Sequence, residues 1–368
     1  MRKGRMIKGI VRKVESYDED LIKKVLNENK NFILDGLKPE DKVFVKPNLL
    51  SYNPPEKAVT TNPIFTRAVI CFLLENNLKV LVGDIPGRSF GLSKYPEILG
   101  LTNIKNENLS IVDPATEGFV EVKESVNNKI RIPKMLWNVK KLFNLPKMKT
   151  HSLTFISGAT KNLFGLIPRK DRLEIHRIPD VKDFSKFLID ISFSLPIEQI
   201  IIMDGIVGME GDGPSMGNPI NLNSIVISND PLFSDYLMSK IMSFNIDEIP
   251  LFQLGYKIEG DIDGNIEELL KSCKKPKSYL IPTKVTSKVS SYIYGLFKDY
   301  LQPVPDVNKN KCIKCGVCAS KCPGGAIKLN PYPTFDRNKC ILCFCCHELC
   351  PEGAIYLRRS IFSKIFKT

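Results

Sequence analysis

"NPIFTRAVICFLLENNLKVLVGDIPG", residues 62–87, changes periodicity halfway along its length. The first part (62–77) carries apolar residues at helical spacing, with a proline near the start, where a helix accepts it. The second part, "LKVLVGDIPG" (78–87), is an unbroken apolar run that stops at Gly-Asp-Ile-Pro-Gly, as a strand buried on both faces does. Helix and buried strand in succession form the repeating unit of an open parallel sheet, and the same alternation extends in both directions. Residues 7–14 read as a strand, 19–33 as an amphipathic helix, and "DKVFVKPNLL" (41–50) as a strand running into a Pro-Asn turn. Further strands are expected at 109–114, 139–147, 198–208 and 223–230, and helices over much of 155–166, 183–194 and 231–244. The fold class is α/β, a layered domain with a mainly parallel sheet.

The C-terminal segment follows another rule. "CIKCGVCASKCPGGAIKL" begins at Cys312 and "CILCFCCHELCPEGAIYL" at Cys340, an internal repeat offset by 28 residues. Each unit reads C-x2-C-x2-C-x3-C-P. The segment resembles the bacterial two-cluster ferredoxin, so a small α+β ferredoxin-like domain is expected behind the sheet domain. In that spacing three thiolates wrap one cubane and the fourth, before proline, serves the partner cluster. The expected sets are therefore Cys312, Cys315, Cys318 and Cys350 for one [4Fe-4S] cluster, and Cys340, Cys343, Cys346 and Cys322 for the other. Zinc is the alternative, but it rarely uses this repeat. Cys345 fits neither unit, and its counterpart in the first is Val317. It is either a small buried residue beside a cluster, the favoured reading, or a reserve ligand or redox-active thiol. His347 is expected at the surface or behind the ligands.

Composition fits a soluble globular protein: 43 % of residues are apolar, 25 % are charged, and the net charge is +13. Two clusters, each about −2 with its thiolates, would lower that charge to about +9. No zinc-finger, helix-turn-helix or RNP-type pattern is present, so nucleic acid is an unfavoured partner. Nine of the eleven cysteines fall between 312 and 350, and the total is odd. This favours metal ligation in a reducing compartment over disulfides. No apolar run reaches membrane-spanning length and no signal peptide is evident, so the expected location is cytoplasmic. The expected divisions are an α/β domain at 1–273, a linker with a docking helix at 274–305, the iron–sulfur domain at 306–358 and a basic tail at 359–368. The tail either packs on its own domain or makes a weak membrane-surface contact.

Three stretches of the first domain carry candidate chemistry. Lys46, Asn48 and Asp84 fall where buried strands end, and ligands of open α/β sheets bind at carboxyl ends of strands. Between 142 and 168, Lys147, Lys149, His151, Gly158, Lys161 and Asn162 crowd together. Glycine and small hydroxyl residues before a helix expose N–H groups to an anion, and lysines add charge. Neither a P-loop nor a dinucleotide fingerprint is present. In "MDGIVGMEGDGPSMGNP" (203–219), Asp204, Glu210 and Asp212 could bind a cation, complement the lysines or act as acid and base.

"VKPNLL", "GDIPG", "LPKMKTH", "GATKNLFGLIP" and "DGIVGMEGDGPSMG" resemble, in this order, the motifs of the uncharacterised domain of unknown function 362 family. Members of that family often carry a fused two-cluster ferredoxin segment. The similarity covers about 40–250 and implies an α/β domain in which Lys46, Asn48, Asp84, Lys147, Lys149, His151, Lys161, Asn162, Asp204 and Glu210 occupy motif positions. It implies no reaction. The residues themselves suggest an anaerobic oxidoreductase that passes single electrons to a phosphate- or carboxylate-bearing substrate or cofactor. In that reading His151, Asp204 or Glu210 supplies protons, and a third organic cofactor or metal remains open. The alternative is an electron-transfer or maturation subunit that docks on a larger redox partner.

Overall fold

Val43, Phe44 and Val45 are fully buried although consecutive, as in a strand covered on both faces. The computed structural model describes residues 6–87, 91–279 and 304–358 and places that strand, β2 (Lys42–Pro47), in the middle of a ten-stranded sheet. Its other strands are β1 (Lys8–Lys13), β3 (Lys79–Val82), β4 (Leu109–Ile111), β7 (Lys141–Leu145), β8 (Lys147–His151), β9 (Phe155–Ser157), β10 (Glu198–Glu210), β11 (Asn218–Ser228) and β12 (Asp261–Asp263). A separate hairpin pairs β5 (Phe119–Ser125) with β6 (Asn128–Pro133). The main path runs β12-β1-β11-β10-β7-β2-β3-β4, and β8 pairs with both β10 and β9. The sheet is mostly parallel; β11 runs antiparallel to both β1 and β10, and β9 to β8.

Alternate side chains of the central strands feed opposite cores. Val43, Val45, Phe143 and Leu145 join a cluster with Phe65, Val69 and Phe72 of the helix Pro63–Glu75. Phe44 and Leu142 join another with Phe184, Phe187 and Ile191 of the helix Val181–Phe193. The helix Pro231–Ile241 packs Leu237 and Met238 against Met203 and Val226 of the outer strands. These are the helix-covered faces expected of an α/β layer.

Three expectations are corrected in detail. The helix expected at 19–33 breaks at Asn29, whose side chain donates to the Val25 carbonyl at 2.7 Å. The strand expected at 139–147 is two strands divided at Pro146, which has no N–H to continue the ladder. β7 and β8 pair in turn with successive stretches of the long β10. The helix expected over 155–166 is β9, a single turn at Ala159–Asn162 and a 3₁₀ segment at Leu163–Leu166.

The C-terminal unit pairs β13 (Val304–Val307) with β16 (Ile355–Arg358), and β14 (Ile327–Leu329) with β15 (Pro333–Phe335). The sequence repeat is also a backbone repeat. Lys314 and Leu342, and then Gly316 and Phe344, all have positive φ, and each pair is offset by the repeat length. A short helix follows in both halves, Val317–Ser320 and Cys345–Glu348. Most of the expected linker and the whole basic tail lie outside the described residues. Its described beginning is pinned: Lys274 N–H donates to Glu210 Oε2 at 2.8 Å and Lys277 N–H to Asp212 Oδ1 at 2.9 Å. Among the described residues no helix is long and apolar enough to cross a membrane.

Candidate functional site

The carboxyl ends of β2 and β3 deliver Lys46, Asn48 and Asp84 to the rim of one cavity of about 110 Å³. β8 adds Lys149 and His151, and the single helical turn after β9 adds Lys161 and Asn162. The helix Arg169–Ile175 and the residue after it contribute Arg169, Arg172 and His176, spaced to lie on one helical face. Part of the wall comes from the C-terminal unit: Lys321, Cys345, Glu348 and Leu349.

Each cation has its own fixing. Lys46 is fully buried and pairs with Asp84 at 2.7 Å, while Asp84 also accepts from the N–H groups of Leu49 and Ile85, each at 2.9 Å. Gly165 lies against this pair; a Cβ there would approach Asp84 Oδ1 and Lys46 Nζ to 2.7 Å. Lys149 donates to the Val59 carbonyl at 2.6 Å and to Asn48 Oδ1 at 3.3 Å. Burial, with repulsion from Lys161 and Lys147, pushes Lys149 down to about 7 despite the opposing pull of Glu348. Lys161 lies over the rings of Phe164 and Phe184, at 4.5 and 5.6 Å, and burial lowers its pKa too. Arg172 donates to the carbonyls of Ile167 and Gly165, and Arg169 to that of Pro86.

His151 is 2 % exposed, and its Nδ1 accepts from the Leu153 N–H at 3.0 Å. The proton of the neutral ring therefore sits on Nε2, and burial among lysines keeps the ring neutral by lowering its pKa well below the ordinary value. Nε2 has no hydrogen-bond partner; the nearest acid, Glu348 Oε2, stands at 3.6 Å, beyond hydrogen-bond reach. A buried N–H without an acceptor thus faces the cavity.

Not every candidate reaches this place. Lys147 and Asp204, both wholly buried, pair at 2.8 Å in a network closed by Tyr17, whose hydroxyl donates to Asp204 Oδ1 at 2.8 Å and accepts from Lys147 at 2.6 Å. Glu210 and Asp212 hold the chain at Lys274 and Lys277. Gly158 precedes the helical turn whose first N–H groups, on Ala159 and Thr160, point at the Asp235 carboxylate, so the protein itself fills the expected anion position. A Cβ at Gly158 would come within 2.1 Å of Asp235 Oδ1. Sequence reading passed over Arg169, Arg172 and His176, although their spacing on a helix was the available signal. Lys321, Glu348, Tyr17 and Asp235 carry no local signal, because only folding brings them to these positions.

The cysteines of the two repeat units lie close together. Cys318 feels the charges of Cys312, Cys315 and Cys350, and these four line a small cavity of about 20 Å³. Cys346 feels Cys343, Cys340 and Cys322. Backbone N–H groups of Ala326 and Ala354 point at the sulfurs of Cys322 and Cys350, at 3.3 and 3.2 Å, and such hydrogen bonds help set the potential of a cluster held there. Among the described residues no three His, Cys, Asp or Glu side chains could hold a single metal ion, whereas a cubane spreads its four thiolates over four irons. These donors fit a [4Fe-4S] group. His347 is buried, its ring nitrogens facing the carbonyls of Ile355 and Asp212 at 2.7 and 3.3 Å. Cys345, 3 % exposed, lies beside Cys343 on the side facing the cavity.

Residues 43–240 match the family described as "Domain of unknown function (DUF362)", and residues 305–328 match a "4Fe-4S binding domain". A "thylakoid-associated protein sll1697" of Synechocystis sp. is 29 % identical over 218 residues, 58 % of this chain and 67 % of that one. The lactate racemase apoprotein from Thermoanaerobacterium thermosaccharolyticum aligns with a TM-score of 0.36 and 17 % identity, over 58 % of this chain and 53 % of the racemase. The chain thus spans about half of that enzyme, and a likeness so loose carries no inference. The first family match covers more than half the sequence and contains most of the cavity's lining, and the second begins the cysteine repeat: the chain belongs to the domain of unknown function 362 family and bears a ferredoxin-type 4Fe-4S binding domain behind it.

Proposed function

We propose that the protein is an iron–sulfur oxidoreductase that accepts electrons from a one-electron carrier and delivers them to an anion bound in the cavity of the α/β domain. One observation carries this reading: the second cysteine repeat, through Cys345 and Glu348, forms a wall of the cation-lined cavity at the strand ends. Cys312, Cys315, Cys318 and Cys350 would hold one [4Fe-4S] cluster and Cys340, Cys343, Cys346 and Cys322 the other. When bound, the clusters supply single electrons at a potential set by their surroundings.

The remaining chemistry belongs to the chain. Lys161, Arg169 and Arg172 bind the anion and stabilise negative charge that grows on reduction. His151 donates its free Nε2–H to an anion oxygen. Lys149 is the proton source favoured by the geometry, since an ammonium poised near neutrality is suited to general acid work. Asp204 and Glu210 act at a distance by holding Lys147 and the chain at Lys274.

The test follows reoxidation of anaerobically reduced protein on addition of candidate anions, together with iron content. Lys161→Met and Arg169→Met should slow reoxidation about tenfold or more with iron unchanged. Rates unaffected by either substitution would sink the proposal. They would favour a second reading, an electron-transfer subunit for a larger partner, which rests on exposed Ile313 (61 %) and Ile341 (43 %) beside the cysteines. Ile313→Asp should then slow transfer to that partner.

A further inference from the structure

The cavity offers donors almost exclusively. Lys149, Lys161, Arg169, Arg172 and His151 present N–H groups, and the acids on its wall are Asp84, already paired with Lys46, and Glu348. Among the described residues Lys161 has no hydrogen-bond acceptor or ion-pair partner, only the faces of Phe164 and Phe184. The Nε2–H of His151 is buried and aimed inward without a partner. A buried donor without an acceptor is costly, so this arrangement is made for a ligand rich in acceptor oxygens. Several cations against one free carboxylate call for more than one negative charge.

Size narrows the class further. A cavity of about 150 Å³ takes benzene, with roughly six heavy atoms, and this one measures about 110 Å³. Pockets for drug-sized ligands and cofactors run to several hundred Å³, about 300 or more. We infer that the cavity takes a compact polyanion of about six heavy atoms or fewer, bearing carboxylate or phosphate groups, in preference to a flavin or a nucleotide. The inference rests on that part of the proposed function which makes this cavity the anion site. Glu348 already sits among the cations, 3.6 Å from His151, so it competes with the ligand and sets a threshold of charge that a monoanion fails to meet.

Titration calorimetry on the anaerobic holoprotein tests this, with oxalate and inorganic phosphate as compact probes and FMN and ATP as large ones. One equivalent of oxalate or phosphate should bind, the preferred probe telling carboxylate from phosphate chemistry. Lys161→Met should weaken binding about tenfold, and Glu348→Gln should tighten it by roughly the same factor. Iron content in both variants reports folding, and because the two substitutions act in opposite directions a general loss of structure cannot imitate the result. Stoichiometric FMN or ATP that competes with oxalate would overturn the size limit while leaving an anion-reducing enzyme intact. Oxalate and phosphate affinities indifferent to both substitutions would place those anions elsewhere and overturn the inference. Binding as expected, with no small anion reoxidising the reduced protein, would uphold the inference and sink the oxidoreductase instead.

Discussion

Lys149 illustrates how much one side chain decides. Its ordinary pKa is 10.5 and burial brings it to about 7 in the fold. Between those values the unfolded chain holds a proton that the native chain has released, so this group's share of stability rises with pH across that window. Below about 7 the cost of burying the charge is present in full. An anion beside Lys149 favours the charged form, so binding at pH 8 should be accompanied by proton uptake. Calorimetry in buffers of different ionisation enthalpy should show it, and Lys149→Met should abolish it. Uptake that survives the substitution would move the role elsewhere. The residues legible in sequence were those at strand ends, where linear order and spatial convergence coincide: Lys46, Asn48, Asp84, Lys149 and His151. Spacing could not separate Lys147 from Lys149, two residues apart on one strand. The first answers Asp204 and Tyr17, and the second faces the cavity.

At the scale of elements, β8 and β10 are joined by a buried charge pair rather than by apolar contact alone. Removing one partner leaves the other uncompensated, so Lys147→Met should cost about 3–5 kcal/mol in denaturant unfolding, while Lys147→Met with Asp204→Leu should cost much less. Equal losses would show that the pair acts through something other than charge. The 3₁₀ segment Leu163–Leu166 carries a different constraint. Gly165→Ala would push on the Lys46–Asp84 pair and should destabilise by about 1–3 kcal/mol, with weaker anion binding. Buried central strands were readable because hydrophobic runs survive any context. The β8–β9 hairpin was not, because its lysines, histidine and hydroxyls are polar in sequence yet buried by a network that only the assembled sheet provides. The repeat at 312–350 was readable for the opposite reason: iron chemistry fixes the spacing locally.

For the whole molecule, directed contacts help to seat the C-terminal unit on the sheet domain. Arg177 donates twice to the Pro323 carbonyl, at 3.0 and 2.9 Å, and Ser215 donates to the Glu348 carbonyl at 2.9 Å. A ligand between the units should tighten both. Hydrogen exchange should therefore slow around 149–176 and 345–349 together when oxalate is added. Protection confined to one side would mean that the units do not share the site. Their mutual position was illegible in sequence, since Lys321 and Glu348 meet the cavity from a segment far along the chain.

Of the eleven cysteines, only Cys315 is exposed, whereas Cys318, Cys343, Cys345 and Cys346 are buried, three of these four in the second repeat. This asymmetry gives the protein a polarity. On the proposed function, a visiting carrier would come nearest the sulfurs around Cys315, while the inner set, drawn mostly from the second repeat, has Cys345 beside it on the cavity wall. On the proposed function, charge would enter and leave this unit at different places, and dioxygen arriving from bulk solvent would meet the exposed Cys315 first. Damage by air should begin there, with the inner set outlasting it, so a partly oxidised sample would keep its ligand site while losing its supply.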